Sequence, residues 1–327
     1  DDALELVRTA LLNGKHVVTA NKALIAAHGA ELARLAEAQD RRLSFEAAVA
    51  GGIPILQALR DDLAANAIES LVGIVNGTTN FMLTELEATG RPYEDVLADA
   101  QRLGYAEADP TFDVGGIDAA QKLGIAAAIA FGTPLPGPGG VYTEGIEPLT
   151  PADTAFAKEL GFRIKHLAIG HRRATGVELR VHPVLLPLEH NLGRVEGVTN
   201  AIVVRGNAVG ETMFIGPGAG GGPTASSVIA DLVSVARADG LEAGAGEVPA
   251  GVALPAFGMP VDRLGTLELL PMGEVFGAVY LRLKVRDEPG MLAAVAQALA
   301  RHGVSLDAVL QRAPEPGSPA AAVAGEG

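Results

Sequence analysis

The 327-residue sequence contains no cysteine and no tryptophan, and its aromatic content is only 4%. Without cysteine there is no disulfide framework, no zinc–thiolate centre and no thiol nucleophile, so any chemistry rests on oxygen, nitrogen and hydroxyl groups. Positive charge is also in deficit: 25 Lys and Arg against 39 Asp and Glu give a formal net charge of −14. That balance repels a phosphate backbone and an anionic membrane surface. No Lys/Arg run or basic–aromatic interleaving offsets it, so neither nucleic acid nor membrane is an expected partner. Uncharged apolar runs of membrane-spanning length are absent, and the start of the chain, with Asp1, Asp2, Glu5 and Arg8, lacks the layout of a signal peptide. The expected compartment is the cytoplasm.

What is present is apolar material for a sizeable core, 48% of residues, in a length that suits roughly two domains or one large one. The first fifty residues alternate. A helix from Leu4 closes before Gly14, residues 16–20 form a short strand, 22–39 a helix and 43–49 a second strand. This βαβ pattern implies a parallel sheet. A dinucleotide-binding sheet normally opens with a strand and a glycine fingerprint that lays the pyrophosphate on a helix N-terminus. No G-x-G-x-x-G occurs in residues 1–50, so the first half of such a domain is expected to be missing from this polypeptide.

Further along, Pro54 marks a helix start over 53–63, residues 68–75 read as a strand, and the turn 76–80 leads into a helix through Leu86. Another helix runs from Pro92 to about Gly104, followed by an acidic loop over 105–116 and a helix over 117–131. Residues 133–140 (TPLPGPGG) read as a linker, and 141–215 as strand segments, 177–181 and 201–204 among them, with one helix over 152–160. Gly216, Gly218, Gly220, Gly221 and Gly222 precede a helix over 224–238, and 239–273 is a loose stretch separating modules. The end of the chain reads as a strand over 278–285, a turn over 287–290, a helix over 291–300 and a strand over 304–310. That is the first half of a small regulatory sandwich.

The densest chemical candidate lies in 104–122. Asp118 and Lys122 are four apart and project from one face of a helix that is otherwise almost uncharged. The plain alternative is a surface pair contributing ~0.3–0.5 kcal/mol. A largely buried Lys beside a second cation would instead have a lowered pKa and could exchange a proton with a hydroxyl or carbonyl oxygen. Lys22, just after the strand, is the best-placed second cation. Glu107, Asp109, Asp113 and Asp118 are too acidic for a phosphate cradle and suit a substrate ammonium, although acidic loops are ordinarily just solvated. Glu46 and the tight turn 49–53 offer a carboxylate and carbonyls for a hard cation, or form an ordinary strand-to-helix turn. Asn76 to Thr78 form a hydroxyl-bearing loop at a strand end. The seven histidines show no metal-ligand spacing.

The segment 100–122 carries Gly104, Glu107, Asp109-Pro110, Asp113, Gly116, Asp118 and Lys122. It stands among GKHVVTANKAL (14–24), FEAAVAGGIPI (45–55), GIVNGTTNFML (73–83), LGRVEGVTNAI (192–202) and GPGAGGGPTASSV (216–228). In these blocks and their order, over residues 4–310, the chain resembles homoserine dehydrogenase of the monofunctional type with a C-terminal ACT domain. The resemblance implies an α/β protein. A partial Rossmann-like nucleotide-binding domain over 1–50 would be completed by 216–238. An α+β catalytic and dimerisation domain would span 51–215, a linker 239–275, and a partial ACT module of ferredoxin-like type 276–327.

It further implies interconversion of L-aspartate 4-semialdehyde and L-homoserine with NADP or NAD, on the route to threonine, methionine and isoleucine. Lys122 matches the family's proton donor and acceptor, and Asp118 and Glu107 match its substrate-binding carboxylates, with Asp113 in the same cluster. Lys22, Gly104, Glu107 and Gly220 match positions around the cofactor. Glu46 and the carbonyls of Val49, Gly51 and Ile53 match a sodium site. The family also implies a homodimer or homotetramer and threonine as effector. Two departures, the missing phosphate loop and the half-length ACT module, set up a competing reading as a catalytically inactive amino-acid-binding regulatory fragment. A third reading, another ACT-bearing amino-acid dehydrogenase, predicts a different substrate and no cation site at Glu46.

Overall fold

The computed structural model of the chain describes residues 2–238, 254–265, 267–286 and 288–311. It begins with α1 (Asp2–Leu12), β1 (Val17–Val18), α2 (Lys22–Ala38) and β2 (Leu43–Ser44). β1 and β2 pair in parallel, Val17 opposite Leu43, as the βαβ pattern requires. α2 starts where the Asn21 side chain accepts the Leu24 N–H, and it buries Leu24, Ile25, Leu32, Ala33 and Ala36 as one helical stripe.

The second strand is shorter than the expected 43–49. After Ser44 the chain turns through a 3-10 turn, Glu46–Ala48. The reason is local: the Glu46 N–H is taken by the Asp231 carboxylate, so ladder pairing is replaced by a side-chain partner. The helix expected over 53–63 begins after Pro54 as α3 (Ile55–Gln57) and widens at once into a π turn, Ala58–Asp62.

There follow β3 (Ile68–Ile74), α4 (Gly77–Thr89), α5 (Tyr93–Arg102), α6 (Thr111–Val114), α7 (Ile117–Phe131), β4 (Tyr142–Thr143), α8 (Pro151–Glu159), β5 (Phe162–Arg172), β6 (Val177–Pro187), β7 (Thr199–Gly206), β8 (Gly210–Pro217) and α9 (Gly221–Ala238). After these come β9 (Leu269–Leu270) and α10 (Met291–Arg301). The large sheet runs β4-β6-β5-β3-β7-β8, with β9 also paired to β6. Its long strands are antiparallel, and the two short ones, β4 and β9, lie parallel to β6. One face of the sheet shares a core with α2 and α7, including Leu32, Leu123, Phe131, Val181 and Ile202. On the other side α4, α5 and α8 build a second core around Met82, Leu86, Val96, Ala157 and Ile164. The alanines of α7 let it lie close to the sheet, so the helix that carries Asp118 and Lys122 is held by packing along most of its length.

The stretch expected as a loose spacer is, in its described part, a packed strap. Phe257 is buried with its ring 5.3 Å from that of Phe45, the Val261 N–H donates to the Glu37 carboxylate, and the Gly265 N–H donates to the Gly132 carbonyl. Burying Ala256, Phe257 and Val261 supplies the driving force that Gly and Pro composition conceals. Residues 239–253 and 266 lie outside the described residues.

At the C-terminal end α10 forms as expected, but 278–285 and 304–310 are not strands among the described residues, and Asp287 of the expected turn lies outside them. A strand needs a neighbouring backbone for its N–H and C=O groups, and among the described residues these segments have none, with Val279, Leu281 and Leu283 exposed. The segment is nevertheless tied down: the Tyr280 hydroxyl donates to Asp153 Oδ1 at 3.0 Å, and Arg282 reaches Asp153 and Thr150, the capping box of α8. Among the described residues no helix is long and apolar enough to cross a membrane.

The start of α7 is fixed by a close fit. Gly116 has φ +83°, and a Cβ there would come within 3.1 Å of the His166 ring and 3.0 Å of Thr143. His166 is buried on β5, with its Nε2 at 2.9 Å from the Glu144 carbonyl, to which it donates. Burial pushes its pKa down to about 4, against the opposing effect of the Glu144 bond. The unfolded imidazole takes a proton near its ordinary value and the folded one only near 4. Stability is therefore full above pH 6.5 and falls as pH drops through that window. Chemical denaturation at pH 7 and pH 4.5 is expected to show His166→Gln losing roughly 2–3 kcal/mol less stability than the unsubstituted protein. Equal losses would remove His166 from the acid sensitivity.

Candidate active site

The site is assembled where three helices begin. Asp118 and Lys122 stand one turn apart on α7, and Lys122 Nζ donates to Asp118 Oδ2 at 2.7 Å and to the Val75 carbonyl at 2.7 Å. Lys22, the first residue of α2, approaches the other oxygen, Asp118 Oδ1, at 3.2 Å. One carboxylate, 4% exposed, thus joins two ammonium groups, one at each oxygen. The second cation that the sequence calls for beside Lys122 is Lys22. Its ammonium also stands 5.5 Å from the centre of the Phe112 ring.

The third helix contributes Asn76, the N-cap of α4. Its Oδ1 accepts the Thr79 N–H at 2.8 Å, while Nδ2 donates to Asp118 Oδ2 at 2.9 Å and to Asp113 Oδ1 at 2.8 Å. Thr78 Oγ1 donates to the Tyr105 carbonyl at 2.5 Å and lies 3.4 Å from Asp113 Oδ2. Burial pushes the Asp118 carboxyl up, but the charge and hydrogen bond of Lys122, with Asn76 and Lys22, outweigh it and hold the group below its ordinary value. At Asp113 burial also pushes up, Asn76 opposes, the nearby Asp118 charge adds to the rise, and the carboxyl ends above its usual range. Two neighbouring carboxylates are thereby set apart: one is locked as an anion between lysines, and the other feels the charges of those lysines without a direct pair among the described residues.

The structure therefore brings together Lys22, Asp113, Asp118 and Lys122. Glu107 does not join them: it is exposed on the loop, and among the described residues its carbonyl accepts from Gln101 Nε2. Gly104 is exposed on the same loop. Gly220 immediately precedes α9, an 18-residue helix, with Gly221 and Gly222 standing in open space. Sequence reasoning reaches Asn76 only as part of a hydroxyl-bearing loop and does not reach the Val75 carbonyl. The available signal is an Asn directly after a strand and ahead of a helical run, the signature of an N-cap.

Glu46 is buried, and its carboxylate caps the start of α3, accepting the Leu56 N–H at 2.9 Å and the Gln57 N–H at 2.7 Å. Burial pushes its pKa up to about 7 despite those two bonds. Ala50 and Gly51 both have positive φ, 54° and 42°, and the Ser227 hydroxyl donates to the Gly51 carbonyl at 2.6 Å. Among the described residues no three His, Cys, Asp or Glu side chains converge as a metal site. A cation in this turn would rest on one carboxylate and backbone carbonyls.

A sequence model described as homoserine dehydrogenase matches residues 54–233, and one for the homoserine dehydrogenase NAD binding domain matches residues 2–46. The chain belongs to the homoserine dehydrogenase family. An ACT domain model matches residues 279–324. Homoserine dehydrogenase of Pseudomonas aeruginosa is 51% identical over 313 residues, covering 96% of this chain and 70% of the relative. That of Mycobacterium tuberculosis is 46% identical over 307 residues, covering 92% and 66%. The crystal structure of a homoserine dehydrogenase from Thiobacillus denitrificans superposes with a TM-score of 0.86 at 48% identity, over 95% of this chain and 70% of that one. A hyperthermophilic archaeal homoserine dehydrogenase in complex with NADPH matches with a TM-score of 0.63 at 33% identity, over 72% and 68%.

These relatives are oxidoreductases, and the match of the first module to the family's NAD-binding model makes a nicotinamide dinucleotide the cofactor. They lend no support to the reading as an inactive regulatory fragment. Replacing Asp118 by Asn would leave two ammonium groups without the carboxylate that joins them. The variant is expected to lose on the order of 2–4 kcal/mol of stability in urea denaturation. A loss below about 0.5 kcal/mol would show that the two lysines do not depend on this carboxylate.

Proposed function

We propose that the protein reduces L-aspartate 4-semialdehyde to L-homoserine with NAD(P)H, and oxidises it in reverse, with Lys122 giving and taking the proton at the C4 oxygen. The observation that carries this reading is the fixing of Lys122 Nζ between Asp118 and the Val75 carbonyl, on a helix locked by packing. An ammonium so held is a preorganised donor. It hydrogen-bonds the aldehyde oxygen, stabilises the negative charge that develops there, and delivers its proton without a covalent intermediate. The nicotinamide, when bound, supplies or accepts the hydride. Asp118 keeps Lys122 oriented. We assign Asp113 and Asp118 to the substrate ammonium, together with Glu107 although this structure leaves it apart on the exposed loop, so that the amino-acid end fixes the C4 aldehyde in position.

Lys22, Gly104, Glu107 and Gly220 are the positions we assign to the cofactor. The residues fit such a group: Gly220 lies at the positive end of α9, where an anionic phosphate is favoured, and the glycines beside it leave room for close approach. The Glu46 carboxylate and the carbonyls of Val49, Gly51 and Ile53 are all oxygen donors, the type a hard cation takes, and we assign them to sodium in a structural part. In this reading residues 1–50 with 216–238 bind nucleotide, 51–215 form the catalytic and dimerisation domain of a homodimer or homotetramer, 239–275 connect, and 276–327 form an ACT module that takes an amino-acid effector, threonine. The reaction belongs to the cytoplasmic route from aspartate to threonine, methionine and isoleucine.

Oxidation of NADPH on addition of L-aspartate 4-semialdehyde tests the activity directly. In Lys122→Ala, kcat is expected to fall by about 10²–10⁴-fold with homoserine affinity nearly unchanged; full turnover in that variant removes Lys122 from the proton transfer. The thermal midpoint is expected to rise when sodium replaces choline at constant ionic strength, and Glu46→Gln to abolish that rise. A midpoint indifferent to sodium would sink the cation assignment.

A further inference from the structure

Asn200 stands on β7, opposite Gly216 of β8 and next to Ala201, which pairs with Ile74 of β3. Side chains alternate along a strand, so Asn200 shares its face with Ile202 and Val204. Those two residues pack in the same core as Ala119 and Leu123 of α7. Asn200 therefore points to the side of the sheet that carries Lys122. It is 1% exposed, and neither Oδ1 nor Nδ2 has a hydrogen-bond partner. Among the described residues it is the one side chain with two buried polar atoms in that condition. The other asparagines near the site are fully engaged: Asn76 as described above, and Asn80 with Lys165 and the carbonyls of Val195, Gly197 and Thr199.

What the Asn200 carboxamide meets is the glycine-rich loop ahead of α9. A Cβ built on Gly218 would fall 2.1 Å from Asn200 Cγ and Nδ2 and 2.4 Å from Oδ1, so the carboxamide lies flat against this backbone. The same stretch of loop is gripped from the other side. The Gly52 N–H donates to the Pro217 carbonyl at 3.0 Å, and a Cβ on Gly51 would meet the Gly218 carbonyl at 2.5 Å. Asn200 thus sits at the seam between catalytic sheet, 49–53 turn and nucleotide-side loop. Its two unmet hydrogen-bonding groups lie against the peptide backbone of this loop. Buried donors and acceptors are strongly driven to pair, so a loop position that satisfies them is favoured over one that does not.

We propose that Asn200 is a positioning residue for the nicotinamide cofactor: with cofactor bound, the peptide groups of residues 217–220 pair with its carboxamide, which holds the loop against the cofactor. This rests on the proposed dehydrogenase reading and on the placement of Gly220 beside the cofactor. Asn200→Leu separates the role from packing, because leucine has nearly the same shape and no polar atoms, and here it removes two unpaired groups. In the full-length protein, Asn200→Leu is expected to keep or raise the thermal midpoint. The NADPH dissociation constant, read by NADPH fluorescence, and the KM for NADPH are expected to rise about tenfold, with kcat changed less.

Asn200→Ala is the second variant, read in the same way should leucine not be accommodated. NADPH affinity equal to that of the unsubstituted protein in either folded variant would show that the side chain only fills space and would overturn the proposal. Failure of the unsubstituted protein to reduce the semialdehyde while still binding NADPH would instead sink the activity reading and leave Asn200 to be judged on the binding constant.

Discussion

Everything in the site depends on one buried carboxylate. Asp118 has an ammonium at each oxygen, Lys122 from its own helix and Lys22 from the first module, and it accepts the Asn76 carboxamide besides. Taking a carboxylate out of water costs several kcal/mol unless its charge and lone pairs are answered. Here they are answered from three chain segments at once, so the interaction that orients the proposed proton donor also fixes α2, α4 and α7 relative to one another. The same contact serves chemistry and architecture, and neither can be altered alone.

The surrounding scaffold narrows the freedom of that contact. α7 is held along its alanine-rich length by the sheet, and its start is held by the meeting of Gly116 with His166 and Thr143. α4 is set by its Asn76 cap and, one turn on, by Asn80, whose carboxamide spans three carbonyls of the chain entering β7. The chain then returns through β8 to α9, whose Asp231 and Ser227 bind the turn that follows β2. First module and catalytic sheet are therefore joined by polar contacts on both sides of the site. The ACT segment reaches this scaffold through Tyr280 and Arg282 on the cap of α8. α8 packs in one core with α4, the helix that Asn76 caps.

Much of this is legible in the order of the residues. The helical stripes of α2 and α7, the βαβ opening and the four-residue spacing of Asp118 and Lys122 all follow from local periodicity. The expectation of a second cation follows from chemistry, because a lysine paired only with an aspartate has no reason to release its proton. The elements that depart from local pattern share one cause. The second strand stops at Ser44, the spacer after 253 is a packed strap, and among the described residues the segments around α10 find no neighbouring strand: each turns on distant partners and not on the local pattern. Glu107 looks equal to Asp113 in sequence, yet only Asp113 is reached by Asn76.

The sequence by itself determined which groups were available: no thiol, an excess of carboxylates, two lysines in the early turns of helices, and glycines where a cofactor would come close. Local periodicity also determined which of them would share a helix face, since that depends on neighbours three and four residues away. Only the tertiary structure decided that Lys22 and Lys122 share Asp118, that Asn76 divides its amide between two carboxylates, and that Asn200 faces a glycine backbone with its polar atoms unmet. Such contacts join residues far apart in the chain. Their geometry is set by how helices and sheet pack, and no pattern of nearby residues encodes it.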